Sequence, residues 1–262
     1  MKGKGVFLWQ SWAVAADDDT LIARLLALKV NRLEIKSCDG AAVFRTNRPG
    51  YPPQVTRALV DKCHAKGIEV WTWQYAYGKD PIGEARVAAA QAIESGADGH
   101  IIDAESEFLK QKQPARKAGD YLDCIHTLAP DLRLAFCSFA LWRHPRSLTT
   151  FWSPEALSVF LEACDFAEPM AYHYPKHVVM EYTRPDWILK ETLYQYRLLT
   201  QKPIVPAGKC YENSAAPLMP GDMETFARVA HAAGCPSISF WSLQHITPHM
   251  EQEFKEGVWN QA

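Results

Sequence analysis

Three carboxylates follow one apolar run near the middle of the chain. Residues 99–102 read Gly-His-Ile-Ile, and Asp103, Glu105 and Glu107 follow at alternate positions. Side chains two residues apart on a strand point to the same side, so Asp103 and Glu105 are predicted to project together. Like charges held this close raise the pKa of one carboxyl, which suits an acid catalyst. The run therefore predicts a catalytic acid pair, with a strand end carrying solvated acids as the simpler alternative.

The acid pair lies within a regular alternation of strand and helix patterns. Strands are predicted over residues 5–9, 30–35, 68–75, 100–103, 132–139, 166–172, 203–207 and 237–241. Helices are predicted over residues 21–28, 54–65, 84–94, 114–128, 154–163, 185–199 and 220–233, with a short closing helix from 248. Eight such units, spaced by about 30–35 residues, predict an α/β fold of one (β/α)₈ TIM barrel spanning residues 1–262. An open doubly wound sheet is the alternative, but its glycine-rich phosphate turn is missing.

A barrel of this kind places its active site at the carboxyl ends of the strands. Aromatic faces stack on sugar rings, while carboxylates and amides bind hydroxyl groups, so the residues at these ends predict a carbohydrate cleft. Trp241, at the end of the last strand, is the best candidate for a stacking platform. Beside the acid pair, Glu168 is a further catalytic candidate, and Glu34 and Glu212 are other acids that could partner Glu105. The remaining predicted mouth residues are Trp9, Lys36, Asp39, Trp73, Gln74, Tyr172, His173, Tyr211 and Gln244.

Several of these residues fall in recognisable motifs. The run Asp98-Gly-His-Ile-Ile-Asp-Ala-Glu105 resembles the D-G-x-D-x-D-x-E signature of glycoside hydrolase family 18, the chitinase-type barrels. Met170-Ala-Tyr172 resembles that family's M-x-Y, and Trp241 its cleft tryptophan. The resemblance implies that Glu105 is the general acid, that Asp103 orients the acetamido group of the substrate, and that Tyr172 steadies the acetamido oxygen. Ile101 stands where the signature has its middle aspartate, a departure that bears on the substrate-assisted route.

A second resemblance points to a different glycan. An Asp-x-Glu that ends a fourth strand, preceded by the aromatic run Trp73–Gly78 and an alanine-rich helix, is similar to the family 25 lysozymes, whose substrate is peptidoglycan. The segments Gly5–Trp9 and Arg32–Gly40 also resemble a poorly characterised group of glycosidase-like barrels. The combined prediction is a glycoside hydrolase acting on an amino-sugar-containing glycan of the chitin or peptidoglycan type.

Three other functions use overlapping residues. A sugar-binding barrel without catalysis needs only the aromatic cleft. A divalent-metal enzyme could use Glu34, Glu105, Glu168 and His173, although no H-x-H or H-E-x-x-H motif is present. A Schiff-base lyase could use Lys36 or Lys209. The hydrolase prediction itself includes neither a metal nor another cofactor.

Composition indicates which kinds of binding partner and which cellular compartment to expect. With 28 basic and 30 acidic side chains and a net charge of −2, the chain is not expected to bind nucleic acid. No apolar run approaches the roughly 20 residues of a membrane span, and Val6–Trp9 is too short for a signal peptide. The seven cysteines are scattered, with no C-x-x-C pair, which is typical of reduced thiols. We therefore expect a cytoplasmic protein; the sequence indicates no particular oligomeric state.

Overall fold

Local capping signals define where the helices of the structure begin and end. In this computed structural model, which describes residues 1, 3–45, 53–173, 184–212, 217–256 and 259, Asp17 accepts the N–H of Thr20 at the start of the first helix. Ser153 likewise accepts the N–H of Ala156. Gly96 ends a long helix with a φ of 72°, a conformation that glycine adopts without steric cost. These caps fix the turns between the helices and the strands.

The described residues form nine strands and nine α-helices. The strands are β1 Gly3–Leu8, β2 Arg32–Asp39, β3 Ala42–Val43, β4 Glu69–Ala76, β5 Gly99–Ala104, β6 Leu134–Phe139, β7 Phe166–Met170, β8 Ala207–Lys209 and β9 Ser237–Trp241. The helices are α1 Asp18–Ala27, α2 Arg57–His64, α3 Pro81–Ser95, α4 Ser106–Leu109, α5 Pro114–Leu128, α6 Pro154–Ala163, α7 Pro185–Arg197, α8 Asp222–Ala232 and α9 Pro248–Glu256. The helices of these ranges are all too short or too polar to cross a bilayer.

Eight of the strands are parallel and close on themselves. Their order is β1-β2-β4-β5-β6-β7-β8-β9, and β9 pairs with β1 through Gly3 and Ser237. The short strand β3 pairs antiparallel with the end of β2. The predicted (β/α)₈ barrel is therefore confirmed.

Seven of the eight predicted strands have different bounds in the structure; β2, predicted to end at residue 35, extends to Asp39, and two further differences concern β8 and β7. The strand predicted over 203–207 is β8, Ala207–Lys209, preceded by a single parallel bridge between Ile204 and Ala167. Pro203 and Pro206 have no N–H to donate, so regular pairing begins after them. The strand predicted to reach Tyr172 ends at Met170. Neither β3 nor α4 was predicted, because both are shorter than the patterns that reveal secondary structure.

Successive side chains of each strand point alternately toward the helices and toward the barrel interior, and so form two apolar layers. Residues such as Val6, Leu33 and Ile102 pack between the strands and the helices. Inside the barrel, large side chains fill the interior, and a Cβ on Gly99 would lie 2.5 Å from the ring of Trp71. The interior cluster consists of Met1, Phe7, Trp71, Trp73, Ile101, Ala135, Cys137, Val205 and Ala207, with Tyr75, Phe166, Met170, Tyr172 and Trp241 packed against it. The barrel is thus filled below its mouth, and only its upper end can hold a substrate.

The cysteines agree with the prediction of reduced thiols. All seven are unpaired, and six of them are buried. Burial raises the pKa of Cys38 to about 12, which makes that thiol unreactive near neutral pH.

Candidate active site

The acid pair stands where β5 passes into α4. Asp103 is the penultimate residue of β5 and is 6% exposed, and its Oδ1 has no hydrogen-bond partner among the described residues. Glu105 is half-buried and occupies the N-cap position of α4 with extended backbone angles. The strand therefore delivers both carboxyls to the mouth, as the two-residue spacing predicts.

Burial and like charge set the protonation of this pair. Burial, followed by the negative charge of Glu105, raises the pKa of Asp103 well above its ordinary value, while Lys36 and a hydrogen bond from the thiol of Cys137 oppose the shift. Burial, followed by the charge of Glu107, raises the pKa of Glu105 to about 7. These shifts favour the protonated form of Asp103, and near neutral pH Glu105 is divided between its two forms. A carboxyl with this pKa can deliver a proton to a substrate oxygen at neutral pH.

A third carboxylate remains ionised beside the pair. Glu107 is exposed and accepts hydrogen bonds from the Tyr75 hydroxyl at 2.5 Å and from Ser106 Oγ at 2.8 Å. These two donors lower the pKa of Glu107. Tyr75 ends the predicted third strand but was not included among the predicted substrate-binding residues, although the alternation of Trp71, Trp73 and Tyr75 along β4 places all three on the inner face.

Three aromatic rings form the floor of the mouth. The ring centroid of Trp241 lies 5.5 Å from that of Phe7 and 5.4 Å from that of Trp73. Trp73 is buried, and its Nε1 donates to the carbonyl of Leu8 at 3.2 Å. Trp241 is partly exposed, so it is the floor residue that a ligand can reach. Trp73 supports it from below, together with Phe7, which was not selected from the sequence.

Lys36 borders the mouth on the β2 side. Its Nζ lies 3.2 Å from Asp39 Oδ1, 4.9 Å from the ring centroid of Trp73 and 6.0 Å from that of Trp9. Lys36 is buried, while Asp39 is half-buried and Trp9 is exposed. The structure therefore brings Lys36, Asp39 and Trp9 together next to the aromatic floor.

Tyrosines border the mouth on the β7 and β8 side. The ring of Tyr172 stands perpendicular to that of Tyr211 at 6.1 Å, and Lys209 Nζ lies 5.0 Å from the Tyr211 ring. Both tyrosines are half-buried. His173, in contrast, is buried with its Nε2 3.3 Å from Asp222 Oδ2. The structure thus places Tyr172 and Tyr211 at the mouth, and the buried His173 contacts the first residue of α8, which also begins at this end of the barrel.

The two predicted amides act on the protein rather than facing the cleft. Gln74 is fully buried, donates to the carbonyls of Gly40 and Glu84 at 2.9 Å each, and accepts the hydroxyl of Tyr121 at 2.6 Å. It alternates with inward-facing neighbours and therefore points outward, so its prediction as a substrate contact is wrong. Gln244 accepts the N–H groups of residues 9 and 10 and holds that segment beside β9.

Glu34 and Glu168 lie below the floor, in a closed polar network. Arg32 Nε donates to Glu34 Oε1 at 2.6 Å, and its other nitrogens donate to the hydroxyls of Ser237 and Ser239 at 2.8 Å each. Ser239 Oγ lies 2.7 Å from Glu34 Oε1 and 2.5 Å from Glu168 Oε1. All five residues are fully buried. The structure therefore corrects the prediction that these two acids reach the mouth.

One hydroxyl proton cannot serve both carboxylates of this network. Burial, followed by the charge of Glu34, raises the pKa of Glu168 well above its ordinary value, while Arg32 opposes the shift. A proton on Glu168 lets it donate to Ser239 Oγ, which in turn donates to Glu34. The network then holds one negative carboxylate facing one guanidinium, and the Oε2 atoms of both glutamates have no partner among the described residues.

The alternative of a divalent-metal enzyme requires Glu34, Glu105, Glu168 and His173 to converge on one ion. Across the ranges that the structure describes, no three His, Cys, Asp or Glu side chains gather closely enough to share an ion. Glu34 and Glu168 are engaged with Arg32 and Ser239, and His173 lies against Asp222. These donors do not converge on Glu105.

Glu212, the other acid predicted as a partner for Glu105, is exposed and lies 3.6 Å from His249, at the rim.

Fold and site together define a closed (β/α)₈ barrel with an acid pair at its mouth. No family model matches the sequence, and no curated protein matches it. Solved structures do match, among them a family 18 chitinase from Pseudoalteromonas aurantia, with a TM-score of 0.67, 13% identity and coverage of 92% of this chain and 94% of that one.

Two further solved structures match with similar scores. The spore cortex-lytic enzyme SleL from Bacillus cereus has a TM-score of 0.68 at 10% identity, covering 98% of this chain and 74% of that one. An endo-1,4-β-D-mannanase from Thermotoga petrophila has a TM-score of 0.67 at 11% identity, covering 92% and 88%. At these identities the likeness concerns the fold. The cytoplasmic location stays a prediction.

Proposed function

We propose that this protein hydrolyses glycosidic bonds in a glycan that contains amino sugars, of the chitin or peptidoglycan type. The observation that carries the proposal is the pair Asp103 and Glu105 at the carboxyl end of β5, the same end of the barrel at which β9 carries the partly exposed ring of Trp241. An aromatic platform next to a protonated carboxyl provides both the stacking surface and the proton that glycoside cleavage needs.

Glu105 is the general acid in this proposal. Its pKa of about 7 keeps a substantial protonated fraction at neutral pH, so it can protonate the leaving oxygen as the bond to the anomeric carbon breaks. Burial supplies the shift, as it does for other carboxyls that act as acids at neutral pH. After cleavage the same carboxylate can take a proton from the attacking water.

Asp103 and Tyr172 position the substrate. A protonated Asp103 can donate a hydrogen bond to an acetamido group, and the hydroxyl of Tyr172 can steady the acetamido oxygen, as the family 18 resemblance implies. At the position of the signature's middle aspartate, Ile101 is fully buried in the interior cluster. Cys137 and Lys36 supply the groups that act on Asp103 from within the barrel. Chitinases and a cortex-lytic enzyme among the similar folds support this class of substrate.

The test is turnover on N-acetylglucosamine oligomers and on peptidoglycan. Glu105→Gln keeps the shape of the side chain and removes the transferable proton, so it should lower turnover about 10²–10⁴-fold. Circular dichroism and a melting curve would verify that the variant folds. The matched control is Glu69→Gln, a half-buried acid on β4 remote from the mouth that pairs with Arg133. Equal turnover by wild type and Glu105→Gln would overturn the proposal.

A sugar-binding barrel without catalysis gives a different result. Such a protein would bind oligomers through Trp241, show no turnover as wild type, and bind equally well as Glu105→Gln. Calorimetry on wild type, Trp241→Ala and Glu105→Gln separates the two functions in one set of measurements.

A further inference from the structure

Two tryptophans just after β1 are partly exposed to solvent. Trp9 is 38% exposed and Trp12 is 40% exposed, whereas Trp71 and Trp73 are buried inside the barrel. The ring of Trp12 stacks on that of Phe44 at 5.9 Å with an interplanar angle of 19°. One face of Trp12 is therefore covered, and much of the remaining ring faces solvent. Large aromatic side chains in this state are typical of ligand contacts.

The segment that carries these rings is held in place by two amide side chains. Gln54 Nε2 donates to the carbonyls of Trp9 and Lys36 at 3.0 and 2.6 Å, and Gln54 Oε1 accepts the N–H of Ser11 at 2.9 Å. Gln244 Oε1 accepts the N–H of Trp9 at 3.2 Å. Because the backbone is fixed before any ligand arrives, binding there costs little further ordering.

A cavity of about 340 Å³ opens beside Trp12. This volume falls within the range of about 300–1,000 Å³ that small-molecule sites occupy. The segment between β1 and α1 and the residues that lead into α2 line it, and the lining includes Ser11, Trp12, Asp17, Asp18 and Gln54. An indole face next to carboxylate and hydroxyl groups is the combination that binds a sugar ring.

Close contacts connect this cavity with the floor of the mouth. The ring of Trp241 lies 5.4 Å from that of Trp73, and Lys36 Nζ lies 4.9 Å from the Trp73 ring and 4.8 Å from the Phe44 ring. Phe44 in turn stacks on Trp12. An unbroken series of aromatic rings and one lysine therefore runs from the platform to the cavity, along the β1 and β2 side of the barrel.

We infer that the cavity beside Trp12 is a distal sugar subsite, occupied by a later unit of the same glycan chain that Trp241 holds. The inference rests on the proposed function for the identity of the ligand, and it adds that the substrate is an oligosaccharide or polymer. A chain that reaches both sites gains affinity from Trp12, whereas a short fragment bound at the platform does not.

The test compares oligomer lengths in the Glu105→Gln background, where no substrate is consumed. Calorimetry measures binding of β-1,4-linked N-acetylglucosamine dimer and hexamer to the variants Trp12→Ala and Trp12→Phe. We expect Trp12→Ala to weaken hexamer binding about tenfold, or ~1.4 kcal/mol, with the dimer changed less than twofold. Trp12→Phe should restore most of the affinity because it keeps a stacking face. The control is Tyr194→Ala, which removes an exposed ring from α7, 55% exposed against 40% for Trp12.

The outcomes separate the subsite from the catalytic proposal. If Trp12→Ala leaves hexamer affinity unchanged, or if it lowers the affinities for dimer and hexamer equally, the subsite is overturned even when Glu105 proves catalytic. If hexamer binding depends on Trp12 while the wild type cleaves no glycan, the subsite stands and the hydrolase proposal fails. Failure of both oligomers to bind overturns the subsite as a site for this class of sugar.

Discussion

The barrel holds two pairs of carboxyl groups in different surroundings. Glu34 and Glu168 are fully buried in the lower interior, where Arg32 and Ser239 contact their oxygens at 2.5–2.7 Å. Asp103 and Glu105 stand at the mouth with Lys36 and Cys137 acting on Asp103 alone. Burial raises the pKa of Glu168 in the first pair and of both acids in the second.

The contrast shows why a raised pKa does not identify a catalyst. In the lower pair, Arg32 and Ser239 contact only the Oε1 atoms, and both Oε2 atoms lack a partner among the described residues. Both carboxyls are fully buried, so a ligand at the mouth does not reach them. In the upper pair, Asp103 Oδ1 has no partner among the described residues, and Glu105 is partly open to the mouth. An acid that transfers protons must reach the substrate and be incompletely satisfied without it, and the upper pair meets both conditions.

Removing the cation from the lower pair should have the largest effect on stability. Arg32→Met fills similar volume but leaves the buried Glu34 and Glu168 facing only Ser239. A buried charge without its partner destabilises a protein by about 3–5 kcal/mol. Urea unfolding at pH 7 would measure the loss of unfolding free energy.

The double variant Arg32→Met with Glu34→Gln is the matched control. It removes the cation and the charge together, so it should recover a large part of the loss. If Arg32→Met alone unfolds at the same urea concentration as wild type, the network is not a buried ion pair of this kind.

At the mouth, removing a charged group should stabilise the folded protein, whereas removing Arg32 from the lower network should destabilise it. The pKa of Glu105 is raised from 4.5 to about 7, so the folded protein binds this proton more tightly than the unfolded chain does. The ionised form therefore costs stability, and the cost grows as the pH rises from 4.5 through 7. Glu105→Gln removes it, so the variant should exceed wild type by about 1–3 kcal/mol at pH 8 and by little at pH 4.

Unfolding curves at both pH values would measure this difference. Glu155→Gln on α6 serves as the control, because a hydrogen bond from Ser153 lowers the pKa of Glu155 and its removal should bring no such gain. A gain for Glu105→Gln that is the same at pH 4 and pH 8 would contradict the assigned shift.

The sequence was sufficient for the fold and for the acid pair, because both depend on local periodicity. The alternation of strands and helices determines the barrel, and a two-residue spacing after a buried strand places Asp103 and Glu105 side by side. The same alternation also explains Gln74, which lies between inward-facing residues and therefore had to face outward. Applying that rule at every strand end would have excluded it and included Tyr75.

The lower network could not be predicted from the sequence. Arg32, Glu34, Glu168 and Ser239 come together only when β9 closes against β1 and the strands acquire their stagger. The depth of a side chain within the barrel depends on this register. A strand-end acid such as Glu168 has the same sequence pattern whether it lies at the mouth or one layer below it. Trp12 was missed for another reason, because exposure and a neighbouring cavity are visible only in three dimensions.

Glu168→Gln should produce the smallest effect of the substitutions compared here. The amide keeps a donor toward Ser239 Oγ, as the protonated carboxyl does, so the hydrogen bonds of Ser239 in the network with Glu34 remain. Because Glu168 lies beneath the aromatic floor, we expect turnover within about threefold of wild type, against the 10²–10⁴-fold loss expected for Glu105→Gln. Turnover of both variants on the same oligomer decides the comparison. If Glu168→Gln is as inactive as Glu105→Gln while its melting temperature is unchanged, the two carboxyl pairs are functionally connected, and the lower pair takes part in the reaction.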